Sequence, residues 1–135
     1  MQYWKIVAGH SGKVPDEVKS LILGDWLRRD YVSIGIDPEE SQGRTFREEI
    51  KVDDKIVVVS SGYVWALGTI EGEAREVNLP SGSNLYSCQR KVTWSRVVKV
   101  AYRQFPSYLY NKLKLRKTLN KLDFEDWETL LTCIL

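Results

Sequence analysis

The four consecutive apolar residues Ile56-Val57-Val58-Val59, set between Lys55 and Ser60, constrain this chain more than any other feature. A strand with alternating polarity needs cover on one face only. A strand without a polar position needs cover on both. The chain must therefore place packing elements on either side of a sheet that contains this strand. Ser61-Gly62 then turns the chain, and Tyr63 to Ile70 pairs back as a hairpin, with Gly68 as a candidate bulge.

The remaining segments supply the cover. Tyr3 to Ala8 is rich in β-formers and reads as a strand that Gly9-His10-Ser11-Gly12 ends. Pro15-Asp16-Glu17 opens a helix with Val18, Leu21, Ile22, Trp26 and Leu27 on one face. Tyr31 to Ile36 is a second strand. Thr45 to Ile50 forms a short helix with Phe46 and Ile50 one turn apart. Glu71 to Gln89 reads as a long mobile loop, and Arg90 to Tyr102 as a strand with a bulge or bend. Pro106-Ser107 opens a helix over Tyr108 to Leu115. Leu119 and Leu122 lead into a final helix, Phe124 to Leu135, with Asp123 as its N-cap. This order predicts the α+β class: a small curved mixed sheet or barrel flanked by helices. The length of 135 residues predicts one domain over 1–135, and the apolar end at Leu131 to Leu135 reads as a domain cut from something larger.

Composition narrows the function. With 43% hydrophobic and 28% charged residues the chain is globular, and no stretch approaches the length of a membrane span. Cys88 and Cys133 form neither a metal framework nor a disulfide scaffold, which predicts a reducing cytoplasm. Catalysis lacks its parts. There is one histidine, His10, no G-x-S-x-G elbow, no H-E-x-x-H pair and no phosphate-binding glycine loop. The expectation is a binding domain with no metal and no cofactor.

Charge points to the ligand. Residues 1–86 carry 10 Lys/Arg and 14 Asp/Glu, whereas residues 87–135 carry 10 Lys/Arg and 4 Asp/Glu. From Ser87 to Leu122 there is no acid against ten bases, an asymmetry that suggests a polyanion. Aromatic residues accompany the bases, 15 in all with five Trp. Rings that stack on bases and cations that neutralise phosphates are the two components of nucleic-acid binding. Arg90, Lys91, Arg96, Lys99 and Arg103 lie along one strand around Trp94, and Lys112, Lys114, Arg116 and Lys117 follow. Trp94 itself is in phase with Val92 and fits core packing, as do Trp4, Trp26 and Trp127.

Taken in order, Tyr3-Trp4-Lys5-Ile6, Tyr31-Val32-Ser33-Ile34-Gly35, Phe46-Arg47-Glu48-Glu49-Ile50, Asp54-Lys55-Ile56-Val57-Val58, Ala66-Leu67-Gly68-Thr69-Ile70-Glu71-Gly72 and Arg90-Lys91-Val92-Thr93-Trp94 form a pattern. It resembles an EVE-type domain of the PUA-like superfamily, relatives of the YTH readers of methylated RNA. More narrowly, it resembles the EVE-like N-terminal domains of the motor subunit in McrBC-type, modification-dependent restriction systems. The resemblance implies a DNA-specificity domain that takes a flipped, modified base into an aromatic cage, with a GTP-dependent AAA+ motor and a nuclease as partners in cis or in trans. The alternatives are an RNA-binding PUA-like module and a protein-interaction domain with an occluded pocket. Carried onto this sequence, the resemblance implies a base pocket from Ser33, Ile36, Ser60, Ser61, Gly62, Tyr63, Trp65, Leu85 and Tyr86, with phosphates meeting Arg90 and Lys91. Ile36 stands where relatives carry an aromatic residue, so the cage is either incomplete or rebuilt with Tyr63, Trp65 or Tyr86.

Overall fold

Strand β3 (Lys55–Ser60) is covered on both faces, as its apolar run requires. Its neighbours are the antiparallel β4 (Tyr63–Ile70) and the parallel β1 (Tyr3–Val7). Ile56 and Val58 point into one hydrophobic core, and Val57 and Val59 into another. All four are completely buried. The computed structural model describes residues 1–9, 16–37, 39–79 and 86–134.

The sheet is mixed. β2 (Tyr31–Ser33), β5 (Arg75–Glu76), β6 (Cys88–Ala101) and β7 (Leu119–Leu122) complete it in the order β2-β6-β4-β3-β1-β7, with β5 paired to the start of β6 on the edge opposite β2. The long β6 pairs through its first residues with β2 and β5 and through the rest with β4. The register slips between Leu67 and Gly68 and again between Val64 and Ala66, and each slip bends and twists the sheet.

Helix α1 (Asp16–Arg29) closes the first core with Leu23 and Trp26, and Ile22 and Leu27 pack beside them. Ile22, Trp26 and Leu27 thus pack as the spacing predicts, whereas Val18 and Leu21 face solvent and Leu23 packs in their stead. A short α2 (Ser41–Arg44) runs into a π-helical turn, Thr45–Glu49, whose wide loop closes with the Ile50 N–H on the Thr45 carbonyl at 3.2 Å. This turn buries Phe46 and Ile50 against the same core. On the opposite face, α3 (Ser107–Leu113) and α4 (Phe124–Ile134) contribute Leu109, Leu113, Trp127 and Leu130. Asp123 caps α4 as expected. Its carboxylate accepts the Asp126 N–H at 2.9 Å, while the Asp126 carboxylate accepts the Asp123 N–H at 2.9 Å. Leu119 to Leu122 is no helix approach but an edge strand antiparallel to β1. Cys88 is buried and Cys133 exposed, and both are free. Among the described residues no helix is long and apolar enough to cross a membrane.

Three buried polar groups fasten this frame. Asp54 accepts hydrogen bonds from the backbone N–H of Gln2 and of Lys51, the Gln2 amide and the Trp4 indole. Burial alone would push its carboxyl up, yet these donors outweigh burial and hold it below the ordinary carboxylate value. Lys5, also fully buried, donates to the carbonyls of Leu115 and Lys117 at 2.9 Å each. Arg90 is fully buried as well. Its Nε donates to the Gly72 carbonyl at 2.8 Å, and its Nη1 to the carbonyls of Phe46 at 3.0 Å and Ile50 at 2.8 Å.

Removing the Arg90 fork leaves three carbonyls without a donor and a void in the core. Arg90→Ala is therefore expected to cost about 3 to 5 kcal/mol, read from urea unfolding. A loss under about 1 kcal/mol would contradict the role of this residue as an internal clamp.

Lys5 gives a signed pH dependence. Burial first, and the Lys117 ammonium second, pull its ammonium down to about 8. Between that value and the ordinary one near 10.5 the unfolded chain holds a proton that the folded chain has released. Stability then rises with pH across this window. The stability of the native protein minus that of Lys5→Met is expected to grow by up to about 3 kcal/mol between about pH 7 and about pH 10. A flat difference across that range would contradict the shift.

Candidate nucleic-acid interface

The β3–β4 turn brings the first part of the site together. Both of its central residues are left-handed, Ser61 at φ 52° and Gly62 at φ 86°, which matches the right-handed twist of a two-residue hairpin. Beyond the turn, the Tyr63 and Trp65 rings lie 5.8 Å apart between centroids. The Trp65 indole donates to the Ser60 carbonyl at 2.9 Å, which fixes the plane of that ring. The register slip at Trp65 sets Lys99 of β6 across from it, with its Nζ 4.8 Å from the Tyr63 centroid and 5.4 Å from the Trp65 centroid. Two aromatics expected at the base pocket and one lysine expected at phosphates thus meet at one end of the sheet.

The same turn borders a hollow of about 250 Å3 lined by Ser61, Gly62, Tyr63, Ala101, Tyr102, Arg103 and Tyr110. The Tyr102 N–H bonds the Gly62 carbonyl at 3.0 Å, tying the hairpin to the 3-10 turn Tyr102–Gln104. Lys114 lies over the Tyr110 ring at 4.7 Å. Tyr102 and Tyr110 were not among the residues expected from sequence. The alternation of ring and base at Tyr102-Arg103 and from Tyr110 to Lys114 was the available signal.

The second part lies past the end of β2, where the strand stops at Ser33, three residues before the predicted Ile36. Tyr86 bonds back to this segment through its N–H to the Ile34 carbonyl at 2.8 Å, and it sits at φ 64°, a strained conformation for a large side chain. Its ring fills the space above Gly35, where a Cβ would lie 2.5 Å from both Cζ and Oη of Tyr86.

Several expected pocket residues are instead interior. Ser33 is buried with its Oγ accepting the Trp26 indole at 3.0 Å, and Ser60 is buried with its Oγ donating to the Ala8 carbonyl at 3.0 Å. Ile36 is buried in the first core. These three shape the wall from behind rather than offering contacts at its rim. Leu85 lies outside the described residues.

The cations also divide. Arg90 is corrected outright: its guanidinium is enclosed and committed to three carbonyls, so it has no access to a phosphate. It shares the inward face of β6 with Cys88 and Val92, all three buried. Lys112 is bound to Asp126 at 2.7 Å and Asp123 at 3.3 Å. Lys91 is exposed but lines a separate hollow of about 510 Å3 with Arg29 and Arg75 and with three acids, Asp25, Asp30 and Glu73. That hollow carries as much negative as positive charge and does not suit a polyanion. Arg96, Lys99, Arg103, Lys114, Arg116 and Lys117 are exposed. Trp94 is structural, its indole donating to the Trp26 carbonyl at 3.2 Å.

No protein-family model matches this sequence, and no curated protein matches it. Solved structures do match in shape. A YTH domain-containing protein, mmi1, in a complex with RNA superposes with a TM-score of 0.65 at 9% identity, over 98% of this chain and 80% of that one. The YTH domain of the Zygosaccharomyces rouxii MRB1 protein, in complex with N6-methyladenosine RNA, gives a TM-score of 0.64 at 15% identity, over 97% and 84%. Rpa0253 from Rhodopseudomonas palustris gives 0.54 at 13% identity, over 98% and 91%. The helix-flanked mixed sheet of the α+β class, expected from the sequence, is thus the fold that the solved YTH domains share.

The contact between Gly35 and Tyr86 can be tested directly. Gly35→Ala is expected to push the ring aside at a cost of about 1 to 3 kcal/mol. In a Tyr86→Ala background the same substitution should cost close to nothing. Equal costs in both backgrounds, measured by urea unfolding, would mean that the ring does not occupy that space.

Proposed function

We propose that this chain is a single-stranded RNA-binding module, one that reads a base beside Tyr86 and Trp65 and grips the adjoining backbone with the cations of the β6 end. One observation carries the reading: the Tyr63–Trp65 pair lies under Lys99 at the tip of the hairpin, beside a hollow lined by Arg103 and, among the described residues, by no carboxylate. Rings give sequence-tolerant stacking, and ammonium and guanidinium groups give phosphate attraction; single-stranded binding sites combine the two. The likeness to YTH domains solved with RNA, one of them N6-methylated, supports RNA as the ligand. The narrower resemblance to the specificity domains of McrBC-type systems, with DNA as ligand and a motor and nuclease as partners, draws no support from those complexes.

Binding of one labelled sequence, as single-stranded RNA, as the same RNA with one N6-methyladenosine and as single-stranded DNA, tests the reading. The RNA is expected to bind more tightly than the DNA, and the methylated RNA most tightly. Lys99→Ala should weaken RNA binding and reduce the slope of log affinity against log salt by about 0.7, one phosphate on a single strand. Preference for the DNA would restore the restriction reading. Failure to bind any of the three at low salt would favour an occluded protein-interaction domain.

A further inference from the structure

The hollow bordered by Tyr63 and Arg103 is lined by neither Trp65 nor Tyr86, the two residues assigned above to reading a base. We infer that it is a second base-binding subsite, which takes an unpaired nucleobase of the same RNA strand against the Tyr110 ring with Arg103 on the adjoining phosphate; this rests on the RNA-binding reading above. Its size is the first argument. About 250 Å3 is below the range of pockets that enclose a whole small ligand, so it accepts one flat fragment of a longer molecule. Its lining is the second. Among the described residues, three tyrosines, a guanidinium and a glycine turn form it without a carboxylate, whereas the larger hollow near Lys91 has three acids. The third is rigidity. The Gly62 carbonyl takes the Tyr102 N–H, and both the Leu109 and the Tyr110 N–H groups take the Pro106 carbonyl, at 3.0 and 2.9 Å, so both walls are fixed before a ligand arrives.

Lys114 now covers the Tyr110 ring at 4.7 Å, and it is exposed. A lysine–ring contact at an exposed site is worth less than a base stacked on the same ring. The incoming base therefore displaces the ammonium, which is then free to pair with a phosphate. Gly62 suits this approach, since open space surrounds the position where a side chain would begin. A duplex, whose bases are already stacked, has none to offer the ring.

The test is the affinity of the full chain for a single-stranded RNA of about ten nucleotides, by fluorescence anisotropy, with far-UV circular dichroism to confirm folding. Tyr110→Ala is expected to weaken binding about 5- to 150-fold with the salt slope unchanged. Tyr110→Phe should retain native affinity, because the ring and not the hydroxyl does the stacking. Arg103→Ala should weaken binding and lower the salt slope by about 0.7. An RNA carrying 2-aminopurine should have its fluorescence quenched by the native protein and less so by Tyr110→Ala. If Tyr110→Ala and Arg103→Ala bind like the native protein while Lys99→Ala is weakened, the subsite is refuted and the RNA-binding reading stands. If the native protein binds no RNA, both fall.

Discussion

A guanidinium sealed inside the protein holds the frame that everything else uses. Arg90 reaches the π-helical turn through Phe46 and Ile50, and the chain leaving β4 through Gly72, from a position on β6 that itself pairs with β2. No single apolar side chain could join these segments, because each presents a carbonyl rather than a methyl group. Burying the charge is costly, and its lowered affinity for its proton reflects that burial first, with Glu73 acting in the opposite sense. Three charge-assisted bonds, each worth about 1.5 to 3 kcal/mol, offset a desolvation cost of several kcal/mol. The planar fork is what makes this geometry available, and a lysine ammonium would not reproduce it.

The opposite end of the sheet carries the cluster of rings and a lysine at the hairpin. β6 extends to Ala101, and beside the register slip at Trp65 the exposed Lys99 side chain lies over two rings. Lys5 acts in parallel on the far edge. Its bonds to the carbonyls of Leu115 and Lys117 fix the segment that carries Arg116 and Lys117, so a buried cation positions exposed ones. The charge of this protein thus does two separable jobs, and the count of bases in the sequence overstates the number that can meet a polyanion.

How far the sequence foretold this follows from the same distinction. Positions whose environment is set by neighbours a few residues away were legible. The Ile56 to Val59 run, the Ser61-Gly62 turn and the Asp123 cap all stand as read. Positions set by distant pairing were not. Leu119 to Leu122 has the composition of a helix approach and becomes a strand because β1 offers it an edge. Asp54 follows a second acid in a polar turn, a setting that suits solvent exposure, yet it is enclosed by donors from Gln2 and Trp4, about fifty residues away. Arg90 is the instructive case. Two-residue alternation from Val92 already placed it on the inward face, but a charged side chain is so seldom fully buried that composition outweighed phase. Of the expected site residues, Tyr63, Trp65 and Lys99 come together at the hairpin, whereas Tyr102 and Tyr110 lie beside Tyr63 only through a 3-10 turn and a helix that no local pattern links to it.

Subtracting the structural cations decides which force must supply affinity. Lys99, Arg103, Lys114 and Lys117 remain exposed near the hairpin or after α3, each without an ion pair to a described residue. Four phosphate contacts on a single strand give a log–log salt slope near −3, so a threefold rise in salt costs about a factor of twenty. On the proposed RNA-binding reading, electrostatics on that scale would draw an RNA in but would not hold it at physiological ionic strength. Retention falls to the rings, where each stacked base contributes about 1 to 3 kcal/mol with little salt dependence. On that reading, a surface with few free cations and several oriented aromatics would select unpaired strands over duplexes, because only unpaired bases have faces to give.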